Sequence, residues 1–318
     1  MSLTIVMYHY VRDLAASRFP TIRGLEKADF AGQLDYIQAH YEVVGTRQIV
    51  DAIREGKALP SNACLLTFDD GYVDHYEIVF PMLVSRGLTG SFFAPACLAV
   101  GGKLLQINKV HYLLAATPDH ELVKVRMLEE LAKYRKHYEL PTDEVLYAKY
   151  SRASRWDPPD TAFVKKALQK RLPELVAAAI ADELFAEFVG MDETELAAET
   201  YLTLGQMREM ATNGMEIGGH GASHRSLGNL SRAEQAEEIT RTVEFLAAVY
   251  GETPAGWPLS YPSGSYNADT LELLAAVDCG LAMTTIPPGL ADLAHPFKLK
   301  RINTNDLPVV LRAEMPDL

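Results

Sequence analysis

The chain has 318 residues, 48% of them apolar and 23% charged, the composition of an ordinary folded protein and not of a disordered one. Its 42 acidic against 30 basic residues give a net charge of -12, which repels polyanions and predicts no nucleic-acid partner. No apolar run approaches the roughly 18 residues of a membrane span, and no basic segment followed by an apolar stretch opens the chain, so a cytoplasmic location without a membrane span is expected.

In chain order, residues 3–8 form a short apolar run that predicts a buried strand delivering His9 at its C-terminal end. A helix is expected over 29–40, where Phe30, Leu34, Ile37 and Tyr41 share a face. A second opens at a cap on Thr46 and stops at Gly56. Residues 63–68 are again continuously apolar and end in Asp69-Asp70-Gly71. Helical spacing through Tyr76, Val79, Phe80 and Leu83 follows, and 90–95 reads as a further strand. Strands alternating with helices predict an α/β protein with a parallel sheet or barrel, whose functional groups gather at the C-terminal strand ends.

From 101 to 199 the strand signals vanish, and Val164, Ala167, Leu168, Leu172, Leu175, Val176, Ala179 and Ile180 make an apolar stripe. This predicts a helical insertion within a single domain spanning 1–318. Pro158-Pro159 divide it, and Pro173 kinks or restarts its second part. Alternation resumes at Thr203, which with Gln206 forms a capping-box pattern for a helix ending at Asn213-Gly214. A strand over 215–219 then leads to His220. Ser231 with Glu234 opens a helix to about Tyr250, 256–261 is a strand, and Asn267 caps a helix running to Cys279. Cys64, Cys97 and Cys279 are odd in number and lie apart in apolar surroundings, so they read as buried free thiols.

Two adjacent acids at a strand end project in different directions, so one of Asp69 and Asp70 can bind a metal while the other handles a proton. Alone, the pair reads first as a helix cap. His220-Gly-Ala-Ser-His224 offers two imidazoles four residues apart, a spacing that turns both rings toward one ion or merely shares a surface. Together, one carboxylate and two imidazoles at predicted strand ends make a three-ligand set with positions left open for water and substrate. The run from Tyr261 and Pro262 through Ser263 to Tyr266 is a further strand-to-helix turn on the same side.

Thr67-Phe68-Asp69-Asp70-Gly71, His220 through His224, and Tyr261-Pro262-Ser263-Gly264 resemble, in order and spacing, the polysaccharide deacetylases of carbohydrate esterase family 4. Met7-Tyr8-His9-Tyr10-Val11 resembles the opening of the branch that includes poly-N-acetylglucosamine deacetylases. The resemblance covers about 3–97 and 201–306. It implies a distorted (β/α)7 barrel, Asp69 as catalytic base, and Asp70, His220 and His224 as ligands of a divalent metal, Zn2+ first, with Co2+ or Ni2+ as alternatives. The implied reaction is hydrolysis of an N-acyl group, acetyl in the family, from a sugar, a sugar-nucleotide or an oligosaccharide.

Three departures stand out. Gly221 occupies the place of a Ser or Thr whose hydrogen bond supports the histidine loop, leaving Ser223 as a substitute. Ser260 stands where many members carry an Arg that orients the base. No Leu-x-x-His element supplies the usual general acid, so His9 is the candidate for that role, with His295 second. Tyr261, Pro262 and the Ser263 N–H are expected to line the acyl group and its oxyanion, and Asp69 to hydrogen-bond one metal-binding histidine. A sugar-binding module without turnover is the competing reading. The insertion is expected either to cap the barrel mouth and favour a short substrate of surface-glycan biosynthesis, such as a lipopolysaccharide side chain, or to use its stripe in a homo-oligomer.

Overall fold

The computed structural model describes residues 2–286 and 292–309. It divides into two compact units, one of Met1–Asp13, Gly24–Gly102 and Ala198–Leu318, the other of Leu14–Arg23 and Lys103–Ala197.

The first unit is built on seven parallel strands: β1 Ser2–Tyr8, β2 Asn62–Asp69, β3 Ser91–Ala94, β4 Glu216–Gly219, β5 Pro258–Ser260, β6 Leu281–Met283 and β7 Ile302–Asn303. Their order is β7-β1-β2-β3-β4-β5-β6, and an eighth, two-residue strand, Glu42–Val43, also pairs with β2. The sheet curls until the segment 299–303 lies between its two ends. Leu299 bridges Met283 of β6, while Ile302 pairs with Val6 of β1. This is the distorted (β/α)7 barrel, with a short seventh strand as its seam.

Side chains alternate across a strand, so one face of each strand lines the interior. Leu3, Ile5, Ala63, Leu65, Phe93, Leu281, Met283 and Leu299 pack there as one apolar cluster. Each fully buried Leu or Ile contributes about 1.5–3 kcal/mol over its exposed state, which makes the filled interior a stiff floor. Gly218 belongs to this packing, since a Cβ there would lie 2.4 Å from the Phe93 ring. The same alternation carries Thr67 and Asp69 onto the interior face beyond Ala63 and Leu65. The β1–β2 register, Met7 with Thr67 and Tyr8 with Phe68, brings His9 opposite Asp69.

The helices of this unit are α1 Lys27–His40, α2 Thr46–Glu55 and α3 Phe80–Ser85, then α10 Leu204–Thr212, α11 Arg232–Tyr250 and α12 Ala268–Ala276. The capping boxes on Thr203, Ser231 and Asn267 all form. The cap of α2 is Gly45, not Thr46. The Glu216 carboxylate of β4 accepts from the Thr46 N–H and hydroxyl and from the Arg47 N–H, so an acid from the sheet satisfies the helix start and leaves Thr46 in its first turn.

In the second unit, α4 Gln106–Ala116, α5 His120–Tyr134, α6 Asp143–Tyr150, α7 Pro159–Lys166 and α8 Glu174–Phe188 are followed by the first residues of α9 Glu193–Thr200. Pro158 caps α7 and Pro159 is its first helical residue, while Pro173 caps α8, so each proline starts a helix where its missing N–H costs nothing. Val164, Ala167, Leu168, Leu172, Val176 and Ile180 are buried in this unit's own core. These six side chains are therefore spent internally. Leu175 departs from the stripe, 76% exposed. Among the described residues, no helix is long and apolar enough to cross a membrane. Cys64 and Cys279 are buried free thiols, whereas Cys97 is only partly buried.

Candidate active site

Asp69 ends β2 and Asp70 follows it, both buried, and neither caps a helix. Asp70 adopts φ 73°, His224 φ 62° and Ser263 φ 55°. Left-handed backbone costs a residue with a Cβ about 1–3 kcal/mol and persists only where the surroundings enforce it. Three of the four such residues among the described ones lie in these turns; the other is Asp278. The strain is thus gathered at one place.

The Asp70 Oδ1 lies 3.2 Å from His220 Nε2 and 3.2 Å from His224 Nε2. Together the three side chains offer ligand atoms within 4.8 Å of one another. His220 Nδ1 donates to the Ser260 carbonyl at 2.7 Å, which leaves the lone pair on Nε2, the tautomer a metal requires. Burial opposes a charged His220, but its hydrogen bond to Asp70 and the charges of Asp69 and Asp70 outweigh burial and raise its pKa. A field that favours a proton at this spot also favours a divalent cation in the proton's place. Two imidazoles and one carboxylate are a donor set that suits zinc and its neighbours, so the residues fit such an ion. Burial alone would raise Asp70, yet the bonds from His220 and His224 hold its carboxyl well below the usual range.

Asp69 takes a different set of partners. Arg301 Nη1 donates to its Oδ1 at 2.9 Å and Nη2 to its Oδ2 at 2.6 Å, a two-pronged pair that is geometrically specific. The Ser260 hydroxyl donates to Oδ2 at 3.1 Å and accepts from Arg301 Nη2 at 3.0 Å. The Arg301 guanidinium also donates to Thr67 Oγ1 and to the Thr284 carbonyl. Burial would raise the Asp69 carboxyl, but Arg301, His220 and His9 outweigh it and leave it below its ordinary value. The orienting arginine absent from the Tyr-Pro turn thus enters from the barrel seam, and Ser260 leaves it room. With both oxygens engaged in this way, Asp69 makes no hydrogen bond to His220 or His224. The Ser260 carbonyl fixes the His220 tautomer instead.

His9 follows β1, within electrostatic reach of both Asp69 and Asp70. Its carbonyl accepts from buried His75 Nε2 at 2.9 Å. Burial pushes the His75 pKa down to about 4, so His75 is a neutral strut. It opens a π-helical turn, His75–Val79, a local widening that recurs at functional sites. His295 is exposed, and its Nε2 lies 4.0 Å from Asp292.

The histidine loop is anchored from α11. Glu238, itself buried, accepts from the N–H groups of Ala222 and Ser223 at 2.8 and 2.9 Å and from the Ser223 hydroxyl. Ser223 therefore serves where Gly221 has no side chain. Gly221 itself has φ +71°, and a Cβ there would lie 3.2 Å from Pro262 Cγ. Glu238→Ala is expected to leave the buried Ala222 N–H and the partly buried Ser223 N–H unpaired, lowering stability by about 1–3 kcal/mol in urea unfolding. It should also weaken Zn2+ binding about 10–100-fold in a chelator competition.

In the third turn Tyr261 is fully buried, and its hydroxyl donates to the Phe297 carbonyl at 3.0 Å. Gly264 N bonds the Tyr261 carbonyl and Ser265 N the Pro262 carbonyl; neither bond uses the Ser263 N–H. Two further groups, outside the sequence motifs, meet the paired acids. Tyr72, fully buried, donates its hydroxyl to Asp70 Oδ2 at 2.7 Å. Burial and the Asp70 charge keep that phenol well above the ordinary tyrosine range. Arg301 is the other.

A parallel barrel whose strand ends gather two acids and two histidines over a filled interior belongs to the (β/α)7 deacetylase fold class. Residues 191–283 match the family model described as polysaccharide deacetylase. Poly-beta-1,6-N-acetyl-D-glucosamine N-deacetylase of Escherichia coli K12 is 40% identical over 80 residues, 24% of this chain and 12% of that protein. The match thus spans only a small part of that relative's length. The Streptococcus pyogenes deacetylase PplD, solved with acetate, superposes with a TM-score of 0.59 at 18% identity, over 98% of this chain and 94% of that one. IcaB from Ammonifex degensii gives a TM-score of 0.53 at 17% identity, over 95% and 94%. By the match over residues 191–283 and by its fold the chain is similar to the polysaccharide deacetylases, with a shorter likeness to the poly-beta-1,6-N-acetyl-D-glucosamine N-deacetylases.

Proposed function

We propose that this protein is a metal-dependent hydrolase that removes an N-acetyl group from a sugar, with an N-acetylglucosamine unit as the substrate class. The observation that carries the reading is a division of labour between adjacent acids. Asp70 faces His220 and His224, whereas Asp69 is held by Arg301 and Ser260 with its charge preserved.

Asp70, His220 and His224 would hold a divalent ion, Zn2+ first among candidates, whose chemistry is Lewis-acid polarisation of the acyl oxygen and of water. Asp69, ionised and aimed by Arg301, accepts the proton of the attacking water. The Ser263 N–H in its strained turn donates to the oxyanion that forms on the acyl carbon. His9 delivers a proton to the departing amine, which leaves as the free amino sugar alongside acetate. The filled interior beneath these groups keeps bulk water from approaching Asp69 from below.

Arg301, which bonds both oxygens of Asp69, weighs against the binding-only alternative. The test is to strip the protein with chelator, reload it with Zn2+, Co2+ or Ni2+, and measure acetate released from N-acetylglucosamine, a nucleotide-linked N-acetyl sugar and β-1,6-linked oligomers. Metal-dependent acetate release is expected; none from any substrate at full metal loading would sink the proposal. His9→Ala is expected to lower kcat about 10²–10⁴-fold with metal content unchanged. Near-normal turnover would move the acid role to another group.

A further inference from the structure

We infer that Tyr72 is a positioning residue that restricts Asp70 to ligation through a single oxygen; the inference rests on the metal-centre reading above. A carboxylate with both oxygens free can chelate an ion with two bonds or bind it with one. Here the Tyr72 hydroxyl donates to Asp70 Oδ2 at 2.7 Å, while Oδ1 alone faces His220 and His224, 3.2 Å from each ring nitrogen. One oxygen is committed to the phenol and the other to the ligand cluster.

The ring is packed closely around this bond. It is fully buried and stacks on Tyr10 with centroids 3.8 Å apart and planes 18° apart. Tyr201 stacks on it at 6.3 Å, and His75 meets its edge at 5.7 Å. The backbone is clamped as well: Leu202 N bonds the Gly71 carbonyl and Val73 N the Thr200 carbonyl, at 2.9 and 2.8 Å. Tight reversal at Asp70-Gly71 brings residue 72 back against residue 70. Gly71 has φ +65°, and a Cβ there would lie 2.8 Å from Leu98 Cδ1 and 3.0 Å from that of Ala94, so only glycine makes this turn. The chain thus spends a strained aspartate, an obligatory glycine and a three-ring stack on one hydroxyl beside one carboxylate oxygen.

The consequence is a count of bonds. Single-oxygen ligation by Asp70 with two imidazoles gives three protein bonds and keeps the remaining positions open, as hydrolytic metal sites require. A chelating Asp70 would take one of those positions.

Tyr72→Phe tests this because it removes the hydroxyl and keeps the ring. Wild type, Tyr72→Phe and Tyr201→Phe are stripped of metal and titrated with Co2+, and the visible absorption and the dissociation constant are recorded, with far-UV circular dichroism to verify folding. Tyr201→Phe alters the same stack without touching Asp70. In Tyr72→Phe, the cobalt bands are expected to weaken and shift as Asp70 adds its second oxygen, with affinity falling about 10–100-fold, while Tyr201→Phe matches wild type. Identical spectra and affinities for Tyr72→Phe and wild type would overturn the inference and leave the metal centre standing. The same change in Tyr201→Phe would overturn it too, assigning the effect to packing. If wild type takes up no Co2+, the metal-centre reading itself falls, and the inference with it.

Discussion

Arg301→Met is expected to cost this protein both its activity at neutral pH and much of its stability. The guanidinium is fully buried and bonds both oxygens of buried Asp69. Removing one partner of such a pair strands the other charge, at about 3–5 kcal/mol. In the wild type Asp69 has a folded pKa below its unfolded value. Its contribution to stability is therefore present above the unfolded pKa and lost as pH falls through the folded one. Without Arg301 burial dominates, the folded pKa rises, and the sign reverses: the variant loses stability as pH rises through the unfolded carboxylate pKa. Turnover should fall about 10²–10⁴-fold at pH 7, and the acidic limb of the pH–kcat profile should move upward, because the base is now protonated. Urea unfolding at pH 4 and pH 7 together with a pH–rate profile checks both parts. An unmoved acidic limb would show that Arg301 does not set the charge on Asp69. Exchanging the pair, Ser260→Arg with Arg301→Ser, should restore part of the activity, since Ser260 Oγ and the guanidinium meet at the same carboxylate.

Asp69→Asn and His224→Ala are expected to fail in different ways. The amide keeps the shape of the carboxylate but cannot take a proton, so turnover should drop about 10²–10⁴-fold while metal content stays close to wild type. His224→Ala removes a nitrogen 3.2 Å from Asp70 and should lose metal directly, with activity recovering partly at high Zn2+ concentration. Elemental analysis after dialysis, paired with acetate release, separates the two. Equal metal loss in both variants would contradict the assignment of Asp69 to proton transfer.

Much of the barrel can be read from the sequence because its first strands are short, largely apolar runs, three of which give way to polar residues. His9, Asp69 and His220 mark those three places. The capping boxes at Thr203, Ser231 and Asn267 are equally plain, since each is a local bond between residues three apart. The last two strands are not, for Leu281–Met283 and Ile302–Asn303 are too short to show a period. Arg301 is concealed for a related reason: Lys298-Leu299-Lys300-Arg301 resembles a solvated basic stretch. Only pairing in the seam turns its last member inward. Tyr72 follows an obligatory glycine, outside any helix or strand pattern, and its role depends on the turn geometry. Leu14–Arg23 belongs to the helical unit through tertiary packing alone, which no local signal announces.

The seam also sets an order of events during synthesis. Asp69 and Arg301 are 232 residues apart, so the acid leaves the ribosome long before its counter-ion exists. Closing so long a loop is entropically costly and slow compared with local helix formation. Until 299–303 docks between Met283 and Val6, burial of Asp69 is opposed by its own charge, and the nascent barrel has reason to stay open on that side. Completion of the ring and ionisation of the buried acid are then one event, so a partly made chain cannot hold Asp69 buried and charged.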